Sequence, residues 1–319
     1  MPNVSVGIDI AKLSYQVHLV INNHSYSKPF RNSPADFYKL LDWLEKVPAG
    51  QVHVCMEASN RYWEHLAKFL YDAGLMVSVV NPTRIHNYAK CKLTRNKTDP
   101  LDAALIADYC TTQNPPLWTP PAPQVQELQA MIRHLDTLKQ MRTQEYNRSL
   151  LENPSESVSD FVSQHLSFIE HQIQQLTDGI RQHMESHEDL KTSLALLESI
   201  PGIAFLTAAK LLGENIQNFK STRELAAYAG LNPSFGISGT SVRHKPKLSK
   251  IGSIHLRTAL YLPAVVAMHH NPSIIDLRQR LEKRNKHKMV IIGAAMRKLL
   301  ALSLGVLKSG LPYDPAYSS

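Results

Sequence analysis

Five prolines fall within nine residues, at Pro115, Pro116, Pro120, Pro121 and Pro123. Proline has no backbone N–H and a fixed φ, so neither a helix nor a central strand runs through such a stretch. It reads as a stiff linker. The chain of 319 residues is thereby cut into two parts, each long enough to bury its own core.

The part before the prolines alternates strand and helix patterns. Val4–Ile10, Tyr15–Ile21 and Ser25–Phe30 are β-rich runs, the last two separated by the turn pair Asn22-Asn23. Ser33-Pro34 opens a helical stripe of Phe37, Leu40, Leu41 and Leu44. Val52–Met56 is a fourth strand, a helix spans about 62–73, and Leu75–Val80 is a fifth strand. Three meandering strands followed by β-α-β units predict an α/β domain with a mixed sheet. Beyond the prolines the pattern is helical. Val125, Leu128, Ile132 and Leu135 start a stripe that resumes after Asn153-Pro154 as Val162, Leu166, Ile169, Ile173, Leu176 and Ile180. Those steps of four and three suit a coiled-coil hairpin, or a helix packed on its own domain. Further on, Pro201-Gly202 separates two apolar helical patterns, a Gly/Ser/Thr-rich loop spans Asn232–Ser241, and basic helices run from about Ser253 to Lys308.

Charge divides the chain as well. Residues 201–319 carry 17 Lys and Arg against 5 Asp and Glu, a net of +12, while the first 200 carry 18 against 22, a net of −4. One part is built to meet a polyanion and the other holds spare carboxylates. Three dispersed cysteines, Cys55, Cys91 and Cys110, form no C-x-x-C pair, which argues against a zinc site or disulfide framework and for a reducing cytoplasm. The N-terminus lacks a signal-peptide pattern, and the longest apolar run, Met289–Leu307, is interrupted by Arg297 and Lys298, so no membrane span is expected.

Three places concentrate acids. Asp9 ends the first strand, Glu57 follows the fourth, and Asn96-Lys97-Thr98-Asp99-Pro100-Leu101-Asp102-Ala103 opens a helix. Asp99 as N-cap with Pro100 at the first position is a good helix start, and a lone Asp9 is an ordinary turn residue. The same spacing also puts Asp99 and Asp102 on one helix face. If the two strands are neighbours, Asp9 and Glu57 crowd together, and a hard divalent cation is the usual compensation.

Taken together, Gly7-Ile8-Asp9-Ile10-Ala11-Lys12, Cys55-Met56-Glu57-Ala58 and Asn96–Ala103 resemble the DEDD transposases of the IS110 insertion-sequence family. The likeness continues through Leu197–Ile203, Ala226–Pro233, Ser238–Arg243, Leu248–Gly252 and Arg257–Tyr261. Relatives of that family include Piv-type DNA invertases, and its N-terminal domain is similar to the RuvC junction resolvase. The resemblance implies three regions: a RuvC-like (RNase H-like) catalytic domain over 1–115, a linker with coiled-coil helices over 116–195, and a small all-α transposase domain over 196–319. It implies Asp9, Glu57, Asp99 and Asp102 as catalytic acids holding Mg²⁺, two ions in number, with Mn²⁺ as an alternative. It implies Ser238 as nucleophile, with Ser241 and Ser249 as neighbours in the same loop, and a covalent phosphoserine link to DNA in a site composed from both domains. Double-stranded donor and target DNA, a structured guide RNA from the same element, and assembly as a homodimer or tetramer complete what the family implies, in a bacterial or archaeal cytoplasm. Candidate nucleic-acid contacts are Pro201 and Gly202, whose helix-hairpin-helix-like turn carries Ala204 where a second glycine is usual, and Arg243, Lys245, Lys247, Lys250, Arg257, Arg284, Lys286 and Lys288. Two other readings fit the same residues: a junction-resolving nuclease or invertase using water without RNA, and a scaffold that binds nucleic acid without cutting it.

Overall fold

The computed structural model describes residues 4–21, 24–46, 52–59, 61–93, 98–150, 155–238 and 242–317, with backbone alone at 235–238, 242–246 and 317. It divides into two compact units, Met1–Pro120 and Pro121–Ser319.

The first unit is built on a five-stranded sheet of β1 (Val4–Ile10), β2 (Ser14–Ile21), β3 (His24–Arg31), β4 (Val52–Glu57) and β5 (Met76–Val80), in the order β3-β2-β1-β4-β5. The meander β1-β2-β3 is antiparallel, whereas β4 lies parallel to β1 and β5 parallel to β4. Alternation along the strands sorts side chains between two layers. Val4, Val6, Ile8 and Ile10 of β1 and Val54 and Met56 of β4 form one core with Leu40 and Leu44 of α1 (Pro34–Glu45) and Leu66 and Leu70 of α2 (Glu64–Asp72). On the other face Cys55 packs with Ile85 of α3 (Pro82–Cys91) and with Ile106, Tyr109 and Cys110 of α4 (Asp99–Gln113).

The proline stretch is no free spacer. The Trp118 N–H donates to the Val77 carbonyl (2.7 Å), and the Ser78 hydroxyl donates to the carbonyls of Pro115 and Pro116. The Trp118 ring meets Trp63 and Tyr71 edge-on. Prolines cannot donate, but their carbonyls still accept, so the segment is stitched to β5.

The second unit opens with a hairpin of two long helices, α5 (Pro123–Ser149) and α6 (Glu156–Glu185). The helices are antiparallel: His183 Nε2 meets the Gln124 carbonyl near one end, and Glu145 meets His165 near the other. The apolar stripe enters the core of its own unit at Val125, Leu128, Ile132, Leu135, Ile180 and Met184. Further along, Phe161 and Phe168 are exposed. After α6 come α7 (Glu188–Glu198), α8 (Phe205–Gly213), α9 (Thr222–Tyr228), α10 (Ile254–His270), α11 (Pro272–Lys283) and α12 (Lys288–Ser309). By length and composition α12 is apolar enough to cross a membrane, but Ile292, Ala295, Met296, Leu299, Leu300 and Leu304 are buried in the unit's core.

One element departs from the all-helical expectation for residues 196–319. The stretch read as a loop over Asn232–Ser241 contributes β6 (Pro233–Ser238), which pairs antiparallel with β7 (Val242–Leu248). Gly236 sits at a register shift, and Pro233 takes the first strand position, where a missing N–H is tolerated. Those two residues gave the sequence its loop-like look.

Candidate active site

Parallel pairing settles the first question about the acids. Ile8 of β1 is level with Met56 of β4, so Asp9 and Glu57 stand one step further along neighbouring strands. An ideal Cβ on Gly7 would point straight at α4, and two-residue periodicity puts the Asp9 side chain on that same face. Cys55 pairs with Gly7, so Glu57 faces α4 as well.

The helix completes the arrangement. Ala103 and Ala107 of α4 lie over Gly7, while the Cys110 thiol reaches the His53 carbonyl, level with Ser5. The helix therefore runs opposite to β1, and its first turn, with Asp99 and Asp102, lies toward the strand end that carries Asp9 and Glu57. This crossing depends on glycine. A Cβ at residue 7 would sit 2.1 Å from the Ala103 carbonyl oxygen and 2.3 Å from the Ala107 amide nitrogen. Both are backbone atoms that no rotamer change can move away.

The capping role expected for Asp99 is not what the structure holds. Thr98 has the extended backbone of the residue preceding the helix, and its side chain accepts no capping bond. Asp99 already has helical geometry, from which a carboxylate cannot turn back to the first free amides. Asp99 is exposed and Asp102 half-buried, both in the helix's positive first turn. Glu57 accepts a short hydrogen bond from the Ser59 hydroxyl at 2.5 Å. Asn96 and Lys97 of the same motif lie outside the described residues.

Four carboxylates from three elements thus share one end of one layer. They are hard oxygen donors, the type that Mg²⁺ and Mn²⁺ select. Among the described residues no three metal-binding side chains stand close enough together to hold an ion.

Three residues of this layer carry no site signal in the sequence. His18 of β2 pairs with Gly7, and burial pulls its pKa below the usual imidazole range, so it is neutral at pH 7. Cys55 and Cys110 form a buried pair between β4 and α4, and the hydrogen bond that the Cys55 thiol donates to Cys110, together with burial, pushes the Cys55 thiol up. Tyr88, also of this unit, donates to Asp108 at 2.7 Å while Lys92 bridges to the same carboxylate at 2.9 Å, tying α3 to α4.

In the second unit Ser238 is the last residue of β6, paired with Val242. Ser241 lies outside the described residues, as do the side chains of Ser238, Arg243 and Lys245. Lys247, Lys250, Arg284, Lys286 and Lys288 are exposed. The turn at Pro201-Gly202 has a packing explanation. Gly202 has φ +104°, a Cβ there would stand 2.7 Å from the Ala267 Cβ of α10, and the Asn271 side chain donates to the Pro201 carbonyl. Arg257 turns inward to three backbone carbonyls.

Comparison with known proteins covers both units. The sequence profile of the IS110-type DEDD transposase matches residues 6–151, and that of the transposase IS116/IS110/IS902 family matches residues 194–279. The chain is 34% identical over 320 residues to the pilin gene-inverting protein of Moraxella lacunata and to that of Moraxella bovis, with 98% of each chain covered. It is 22% identical over 324 residues to the transposase for insertion sequence element IS1111A of Coxiella burnetii, covering 90% of this chain and 85% of that one.

Proposed function

The chain belongs to the IS110 family of transposases and DNA invertases, enzymes that cut and rejoin DNA, and on that premise we propose a metal-dependent recombinase that works through a covalent serine–DNA link. What supports the reading is that the elements carrying Asp9, Glu57, Asp99 and Asp102 all end or begin at the same end of the α4-facing layer. These acids would hold Mg²⁺, which supplies positive charge against the phosphate oxygens as negative charge builds on them.

Ser238 is the proposed nucleophile. Its Oγ bonds to phosphorus as the bond from phosphorus to one sugar oxygen breaks, and the hydroxyl proton ends on that departing oxygen. The number of phosphoester bonds is unchanged, so the reverse step rejoins a strand without an external energy source. Arg243, in register with Ile237 on the strand paired with β6, would supply cationic charge beside it. A water nucleophile, as in a junction-resolving nuclease, remains the alternative, and it would leave free phosphate ends instead of a linked protein.

The proposal extends to partners. Donor and target DNA meet the +12 region, a structured RNA from the same element selects them by base pairing, and the enzyme works as a homodimer or tetramer. Incubation with a supercoiled plasmid carrying this gene and its flanks tests the chemistry. Strand cleavage is expected with Mg²⁺ or Mn²⁺, and its loss with a chelator and with Asp9→Asn, Glu57→Gln or Asp102→Asn. Undiminished cleavage by the Asp9→Asn, Asp102→Asn double variant would overturn the metal-acid assignment. Sequencing of RNA that copurifies should return one transcript adjoining the gene, and a random cellular population would count against a guide.

A further inference from the structure

Arg257 was grouped with the residues expected to touch DNA, but its surroundings give it other work. It stands in the first turns of α10, and Nη1 donates to the carbonyls of Ala229, Gly252 and Ser253, each at 3.1 Å. Ala229 belongs to the segment entering β6, and Gly252 and Ser253 to the segment leaving β7. One cationic group therefore bridges both legs of the β6–β7 hairpin at its base.

The legs are bound to each other at the same place. Ser249 N–H donates to the Asn232 carbonyl (2.9 Å), Lys250 N–H to Gly230 (3.1 Å) and Ser253 N–H to Tyr228 (2.7 Å). Their approach is too close for side chains. A Cβ on Gly252 would stand 2.0 Å from the Tyr228 carbonyl oxygen, and one on Gly230 would stand 2.7 Å from Arg257 Nη1. Gly230, Lys250 and Gly252 all have positive φ, at +67°, +55° and +136°. A backbone held in such conformations persists when its surroundings over-determine it, and here a charged donor does so.

We propose that Arg257 is a positioning residue: it locks the base of the β6–β7 hairpin and so fixes where Ser238, at the far end of β6, is presented. The link to catalysis rests on the nucleophile assignment above. Leverage explains why a distant residue matters. At about 3.4 Å per residue, the six steps from Asn232 to Ser238 span roughly 20 Å, so a tilt of about 5° at the base displaces the tip by about 2 Å. A misplacement of about 1 Å can cost on the order of a hundredfold in rate.

Hydrogen exchange on the full-length protein tests this, with Arg257→Ala, Arg257→Lys and the control Leu260→Ala, which removes a buried side chain from the same helix. Arg257→Ala should speed exchange in β6 and β7 by about tenfold or more and leave α12 unchanged. Leu260→Ala should lower thermal stability without that local signature. Covalent adduct formation on the plasmid should fall by about a hundredfold in Arg257→Ala, with affinity for random-sequence duplex DNA and its salt slope unaltered. Arg257→Lys should recover part of both effects, since one nitrogen makes all three bonds. Unchanged exchange in the hairpin, or a salt slope lowered by about one unit, would overturn the proposal and make Arg257 a phosphate contact. An adduct that survives Ser238→Ala would defeat the nucleophile assignment and with it the catalytic link, while the exchange measurement would still decide whether the brace exists.

Discussion

Gly7 carries more of the architecture than its size suggests. With its Cβ position filled by the backbone of α4, the residue brings Asp9 and the Asp102 turn onto one layer. Gly7→Ala should destabilise the first unit by about 1–3 kcal/mol or more, as overpacking does, and should abolish cleavage even where the protein still folds. Thermal unfolding alongside the plasmid assay measures both. His18, the strand neighbour of Gly7, provides a pH signature. Its pKa is depressed by burial, so the unfolded chain binds more protons than the folded one in the window below about 6.5. Stability of the first unit should therefore be flat above that pH and fall beneath it. His18→Gln should flatten the decline; an unchanged profile in that variant would assign it to other groups. That Asp9 and Glu57 stand at strand ends and that Asp99 and Asp102 open a helix was legible from residue type and pattern. The Gly7 crossing was not, because a glycine in a strand does not announce which helix will press on it.

At the scale of elements, the five strands of the first part, the mixed sheet and the helical character after the prolines were legible from periodicity, since period two and period 3.6 separate cleanly in long runs; the strand order was not, because periodicity does not say which strands are neighbours. The β6–β7 hairpin was hidden by Pro233, Gly236 and Pro246, residues that mark loops in isolation yet are tolerated in a two-stranded ribbon. That the stiff proline stretch is also bonded to β5 was not legible, because composition does not show where carbonyls find donors. The helical hairpin offers a direct check of which of its apolar residues are core. Leu128→Ala, in the buried part, should cost about 2–5 kcal/mol. Phe161→Ala, with 72% of its surface exposed, should stay within about 0.5 kcal/mol of the parent protein. Equal losses at both positions would mean that the exposed length is covered in solution.

For the molecule as a whole, the charge division is the simplest expression of its task. Acids that would hold a cation belong to the first 200 residues at net −4, and the proposed nucleophile with its cationic surroundings belongs to the remainder at net +12. Arg284, Lys286 and Lys288 are exposed around the turn between α11 and α12. Replacing all three with Gln should lower the salt dependence of duplex binding by about 0.9 per lost phosphate contact. An unchanged slope would mean that this turn faces away from DNA. The central claim, that acids and serine serve one strand-exchange reaction, is tested most directly by digesting the protein–DNA product and mapping the attached nucleotide by mass spectrometry. A nucleotide linked to Ser238, absent in Ser238→Ala and in Asp102→Asn, is the predicted result. Cleaved DNA with no attached residue, or attachment to a different side chain, would contradict it.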